Sequence, residues 1–132
     1  MPVPAQRVAP GTAIPPWRIT VSAEPMKLYA ALARDPTPIH WDAGAAGGRV
    51  INQGPLNLGY VANMLIAWAG PEAIREIDAR FTDNVFAGDA VVAGGVVTAV
   101  RDGVAVCEIW LDRADGGRAV TGTATISLPV TA

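Results

Sequence analysis

The residues best suited to moving protons are gathered in one short stretch, Arg34-Asp35-Pro36-Thr37-Pro38-Ile39-His40-Trp41-Asp42. His40 is the single histidine of the protein, and Asp35 and Asp42 place carboxylates on either side of it. An imidazole exchanges its proton near neutral pH, and beside a carboxylate it can serve as a general acid and base. Two prolines, Pro36 and Pro38, separate the first carboxylate from the imidazole. Proline disfavours helix for the residue before it and removes a backbone donor. Asp35 is therefore expected as the last residue that any preceding helix could reach, with Asp35 to His40 a rigid, extended turn. Such a turn holds an acid and an imidazole at fixed separation, so that little freedom is lost when a reactant binds.

The elements that must carry this stretch have to fit in 132 residues, enough for one domain with one core. Apolar residues make up 51% and charged ones 17%, which excludes a disordered tail. A net charge of −2, with no basic patch, argues against nucleic acid as a partner. The lone Cys107 cannot close an internal disulfide, and no cluster of cysteines and histidines could hold zinc. No cofactor is implied. The opening Met-Pro-Val-Pro-Ala-Gln-Arg has no apolar run of signal-peptide length, and a reducing cytoplasm is expected. The stretch from Val50 to Pro71 carries no charge, but Asn52, Gln53, Asn57 and Asn63 interrupt it, as do Gly54, Pro55, Gly59 and Gly70. Its helical part is too short for a bilayer and reads as a buried core helix.

Residues 1–16 are proline-rich, without periodicity, and read as an extended arm; residues 17–132 read as one domain. Trp17 to Val21 alternates like a short strand. Ser22 is a candidate N-cap for a helix over Ala23–Ala33, with Met26, Tyr29, Ala30 and Ala33 on one face. Gly54 as N-cap, with Pro55 at the first helical position, starts a second helix that Gly70-Pro71 ends. That helix is apolar nearly all round and should be buried on most sides. The rest reads as strands: 73–84, 89–101, 104–112 and 119–128. Asp102-Gly103 marks one tight turn and Asp115-Gly116-Gly117 another, and Gly94-Gly95 marks a bulge or a close backbone approach. Cys107 reads as buried and inert, Met64, Leu65 and Trp68 as core, and Asp42 as a cap for the loop after His40.

A single long helix followed by antiparallel strands can bury the helix only if the sheet curves round it. The open edges of such a sheet invite a second copy, so a dimer is expected. This α+β pattern, with Asp35, four residues and then His40 and Asp42, resembles the hot-dog fold and, within it, the MaoC-like family. That family includes (R)-specific enoyl-CoA hydratases and 3-hydroxyacyl-thioester dehydratases. The segments from Tyr60 through Trp68-Ala69-Gly70-Pro71 and from Ile77 to Thr82 are similar to actinobacterial acyl-carrier dehydratases and to small subunits of heteromeric steroid side-chain hydratases. The chain departs from the family pattern at Ala33-Arg34, where Ser-Gly is common, at Thr37, where Asn is usual, and at Gln53, where His commonly precedes the glycine.

The resemblance implies reversible hydration of a 2-enoyl thioester of coenzyme A or an acyl carrier protein, giving an (R)-3-hydroxyacyl thioester. It puts Asp35, His40 and Gly54 in catalytic roles, and Asn57, Arg34 and Gln53 beside the substrate. Asp35 and His40 would hold and deprotonate a water, while the start of the second helix, with its free N–H groups and dipole, would face the thioester oxygen. Pro55 has no N–H to give, whereas Gly54 lets a substrate come close. The alternatives are a hot-dog thioesterase, or a subunit of a heteromeric hydratase with a structural or lipid-binding role. No membrane partner is implied, and the partner subunit is expected to be a second hot-dog chain, identical or not.

Overall fold

A computed structural model describes residues 8–34, 37–40, 42, 44 and 48–128. Its order is strand β1 (Ala13–Thr20), helix α1 (Ala23–Leu32), a 3-10 turn (Pro38–His40), helix α2 (Gly54–Ala69), a second 3-10 turn (Pro71–Ala73), and strands β2 (Ile74–Phe81), β3 (Ala90–Arg101), β4 (Val104–Arg113) and β5 (Arg118–Ser127). The strands form one antiparallel sheet in the order β1-β3-β4-β5-β2. Helix α2 touches all five strands, as a helix does when a sheet wraps round it. Among the described residues no helix is long and apolar enough to cross a membrane.

Alternation within the strands decides which side chains meet α2. On β4, Ala105, Cys107, Ile109 and Leu111 are buried against the helix, while Val106 and Glu108 are exposed on the other face. Burial pushes the Cys107 thiol up to about 11, so it is an inert core group. The β3–β4 hairpin turns on Asp102 and Gly103, both with positive φ (53° and 74°), as a two-residue primed turn requires. Gly94 sits opposite Trp110, and a Cβ there would run into the indole ring. Close approach, not a bulge, accounts for this glycine; the irregularity in β3 falls between Val97 and Ala99.

Several expectations move. β1 begins at Ala13, inside the segment expected to be an arm, and runs through Pro15 and Pro16. It is an edge strand, and its register breaks between Ile14 and Trp17, where missing N–H groups are tolerated. Residues ahead of it also lie on the sheet, with the Gly11 N–H donating to the Val97 carbonyl (2.7 Å). Helix α1 ends at Leu32, three residues before Asp35, because Arg34 takes a left-handed conformation (φ 53°) that closes the helix where glycine is usual. Ala33 is exposed. Ser22 is the N-cap residue but makes no side-chain cap bond. Helix α2 is not buried on most sides: Pro55, Asn63, Ile66 and Ala67 are exposed, because the sheet covers one side only.

Candidate functional site

The site is built around residues 50–54, a short extended segment that feeds into α2. Its backbone bonds alternate between two neighbours. The Asn52 N–H donates to the Val85 carbonyl (2.6 Å) and the Val50 carbonyl accepts from Ala87 (3.0 Å), tying one side to the chain between β2 and β3. On the other side the Ile51 N–H donates to the Ile39 carbonyl (2.8 Å). Arg49 pins the same region from outside, pairing with Asp89 (3.0 Å) and lying over the Phe86 ring (4.9 Å).

That segment fixes His40. Pro38 opens the 3-10 turn, where its missing N–H costs nothing, so residues 38–40 are coiled rather than extended as expected. The His40 Nδ1 lies 2.6 Å from the Ile51 carbonyl oxygen. A carbonyl can only accept, so Nδ1 carries the proton and the neutral ring keeps its basic lone pair on Nε2. Nε2 has no partner among the described residues. Ile51 stands three residues before Gly54, so the imidazole is anchored within roughly 10 Å of chain from the start of α2. Asp42 caps its loop as expected, accepting from the Gly44 N–H (3.0 Å). Asp35 lies outside the described residues.

At the helix start the N-cap is Gln53, not Gly54, which is the first helical residue with Pro55 second. The Leu56 and Asn57 N–H groups both donate to the Gln53 carbonyl (3.1 Å each). Pro55 has no N–H, which leaves Gly54 as the one free backbone donor of the first turn. The Phe81 ring of β2 covers this glycine: a Cβ on Gly54 would lie 3.1 Å from it, and the ring is 54% exposed.

The remaining expected site residues divide. Gln53 is buried, and its amide donates to the Met26 carbonyl of α1 (2.9 Å), turning the side chain into the protein. Asn57 is buried and accepts from Asn52 Nδ2 (2.7 Å). Arg34 is exposed at the end of α1. Asn52 and Tyr60 were not expected in the site. Asn52 Nδ2 also reaches the Tyr60 hydroxyl oxygen (3.3 Å), and burial raises the Tyr60 phenol above its ordinary 10, the Asn52 bond opposing it more weakly. The phenol is therefore an O–H at neutral pH. The signal for Asn52 is an uncharged polar side chain in an otherwise apolar stretch, which by itself weighs only against a membrane span; Tyr60 enters the sequence only as the start of a segment that resembles the family. Two buried oxygens, Asn52 Oδ1 and Gln53 Oε1, have no donor.

A five-stranded antiparallel sheet wrapped on one helix, with a histidine turn tied to that helix's N-terminus, is a hot-dog domain. The chain belongs to the MaoC-like domain family, which it matches over residues 7–110. It is similar to the (R)-hydratase of A. caviae involved in PHA biosynthesis, with 28% identity and a TM-score of 0.82 over 94% of this chain and 99% of that one. The ChsH1–ChsH2 complex of Mycobacterium tuberculosis is also similar, with 28% identity and a TM-score of 0.79 over 92% and 98%. The unliganded R-hydratase PhaJ1 of Pseudomonas aeruginosa shares the fold, with a TM-score of 0.87 at 21% identity over 98% and 87%. Among curated proteins none matches the sequence.

Proposed function

We propose that the chain reversibly hydrates a 2-enoyl thioester to an (R)-3-hydroxyacyl thioester, on coenzyme A or an acyl carrier protein. The observation that carries this reading is the His40 Nδ1–Ile51 bond, which ties the imidazole to the segment leading into α2 and leaves Nε2 without a partner among the described residues, while the first turn of that helix offers the Gly54 N–H. Membership of the MaoC-like family and likeness to an (R)-hydratase support it. In the hydration direction, Nε2 takes a proton from a water that Asp35 helps orient, and the water oxygen bonds to C3. The C2–C3 π pair moves toward the thioester, whose oxygen gains charge and meets the Gly54 N–H and the positive end of α2. A proton delivered to C2 completes the addition. Neutral imidazole suits the first step, since it can accept a proton without first losing one.

A second hot-dog subunit is part of the proposal. Among the described residues, strands β1 and β2 each have an unpaired edge, and Asn63 and Ile66 of α2 are exposed. The similar structures include the ChsH1–ChsH2 and HadBC complexes.

The test is turnover of a panel of 2-enoyl thioesters, from short to steroid-sized acyl groups, followed by loss of the enoyl absorbance. The purified chain is expected to hydrate at least one. Asp35→Asn and His40→Gln are each expected to lower kcat at least about 100-fold, the contribution of a positioned acid–base group. A folded chain that hydrates none of them, as coenzyme A or carrier-protein thioesters, overturns the proposal. Release of free thiol instead would make it a thioesterase.

A further inference from the structure

The hydration reading leaves a shortage of donors. Charge that develops on the thioester oxygen is met best by preorganised hydrogen bonds in a site shielded from water. The first turn of α2 offers one free N–H, that of Gly54, since Pro55 has none and Leu56 and Asn57 are committed to the Gln53 carbonyl. A second donor, the Tyr60 hydroxyl, is held at the same end of the helix. Tyr60 lies six residues into the helix, about 9 Å further along the axis. Helical side chains lean back toward the N-terminus, and the Tyr60 hydroxyl reaches 3.3 Å from Asn52, a residue that precedes the helix. The hydroxyl is thus at the level of the helix start. Asn52 donates to its oxygen, which turns the phenol proton elsewhere, and no described residue accepts that proton.

The groups behind Tyr60 are built to hold it. Asn52 and Asn57 are 4% and 3% exposed and bonded to each other at 2.7 Å. The cluster keeps a buried oxygen, Asn52 Oδ1, with no donor, a feature that costs stability and that the apolar core around it does not need. Tyr60 itself is only half-buried, so it forms the boundary between this cluster and whatever approaches α2.

We infer that the Tyr60 O–H is the second hydrogen-bond donor to the thioester carbonyl oxygen, paired with the Gly54 N–H, and that Asn52 and Asn57 are positioning residues for it. This inference rests on the hydratase reading. Tyr60 transfers no proton: it donates a hydrogen bond that strengthens as the oxygen becomes enolate-like, while water supplies the C3 oxygen and the C2 proton comes from the Asp35–His40 side.

The experiment compares wild type with Tyr60→Phe on the best 2-enoyl-CoA of the panel, and records the carbonyl stretch of bound thioester by difference infrared spectroscopy. Tyr60→Phe is expected to lower kcat about 10²–10³-fold, the loss seen when one oxyanion donor is removed, with KM little changed. The carbonyl stretch of the bound thioester moves back toward its value in water. Asn52→Leu keeps the phenol but frees it to rotate; it lowers kcat less and broadens the same band, and it serves as a separate reading should Phe at 60 disturb the fold. Wild-type turnover with Tyr60→Phe equally fast and an unmoved band overturns the inference alone. A wild type that turns over no enoyl thioester overturns it together with the hydratase reading.

Discussion

The inner face of the sheet and the start of α2 are both buried, yet they are made of different materials. On β4 and β5, Ala105, Cys107, Ile109, Leu111, Val120, Ala124 and Ile126 are at most 1% exposed, and every one is apolar. Among the described residues, each buried polar side chain lies at the helix start: Asn52, Gln53 and Asn57. Two of these carry oxygens that no donor reaches. An unpaired buried acceptor costs about 1–3 kcal/mol, whereas an apolar side chain in the same space would contribute to stability. The sheet face holds the domain together. The helix start gives up stability to keep polar groups buried, as the proposed site would require.

The largest effect that would sharpen this contrast belongs to the sheet face. Leu111→Ala removes a fully buried side chain between β4 and α2 and is expected to lower the unfolding free energy by about 2–5 kcal/mol. Urea unfolding measures the loss. The hydration rate per folded molecule should stay near wild type, because Leu111 takes no part in the His40 or Asn52 bonds. A loss of turnover as large as the loss of stability would break the comparison, since the sheet would then shape the site directly.

The converse variant is expected to do the opposite. Asn52→Leu combined with Asn57→Leu removes both partners of the 2.7 Å bond and the unpaired Oδ1 with them. Replacing both members of a buried polar pair by apolar groups is close to neutral or stabilising. The double variant should therefore unfold within about 1 kcal/mol of wild type while turning over markedly less substrate. A double variant that is several kcal/mol less stable would show that the cluster is there for the fold.

The same contrast decides what could be read without coordinates. The sheet was legible because alternation is a strong signal: a strand over 104–112 puts Ala105, Cys107 and Ile109 on one side, and they are buried together. The Asp102-Gly103 turn was legible because positive φ at two successive residues favours that pair. The helix start was legible to within one residue, since Gly54-Pro55 marks a beginning but not which residue caps it. Three things were hidden. Pro15 and Pro16 concealed a strand, because whether a missing N–H matters depends on which neighbour the edge has. Arg34 ended α1 early by entering a conformation that sequence assigns to glycine. The Asn52–Asn57–Tyr60 cluster was invisible because a polar residue in an apolar stretch does not say whether it meets water or another polar group; only the fold brings Asn52 back against the second turn of α2.

The smallest effect comes from polar groups that do have partners. Arg113, at the end of β4, pairs with Asp83 (2.9 Å) and Asp115 (3.1 Å) and donates to the Asn84 carbonyl (2.7 Å), joining the β4–β5 turn to the chain after β2. Both carboxyls sit below their ordinary 3.8: Asp83 through the Asn84 N–H first and Arg113 second, Asp115 through the Gly117 N–H first and Arg113 second. A carboxyl held lower in the folded chain than in the unfolded one contributes stability that is fully present above the unfolded value. That contribution fades as pH falls through the folded value. The loss therefore falls from about 3.8 downward. It is slight, because both carboxyls are exposed and water screens them. Asn52, Gln53 and Asn57 do not titrate, so the helix start adds nothing to this window. Melting temperature measured from pH 6 to pH 2.5 should show Arg113→Gln below wild type at the upper end and converging on it at the lower. The Asn52→Leu, Asn57→Leu variant should run parallel to wild type throughout. If it converged as well, the polar groups at the helix start would be coupled to a carboxylate, and the division between a structural face and a chemical one would have to be redrawn around that group.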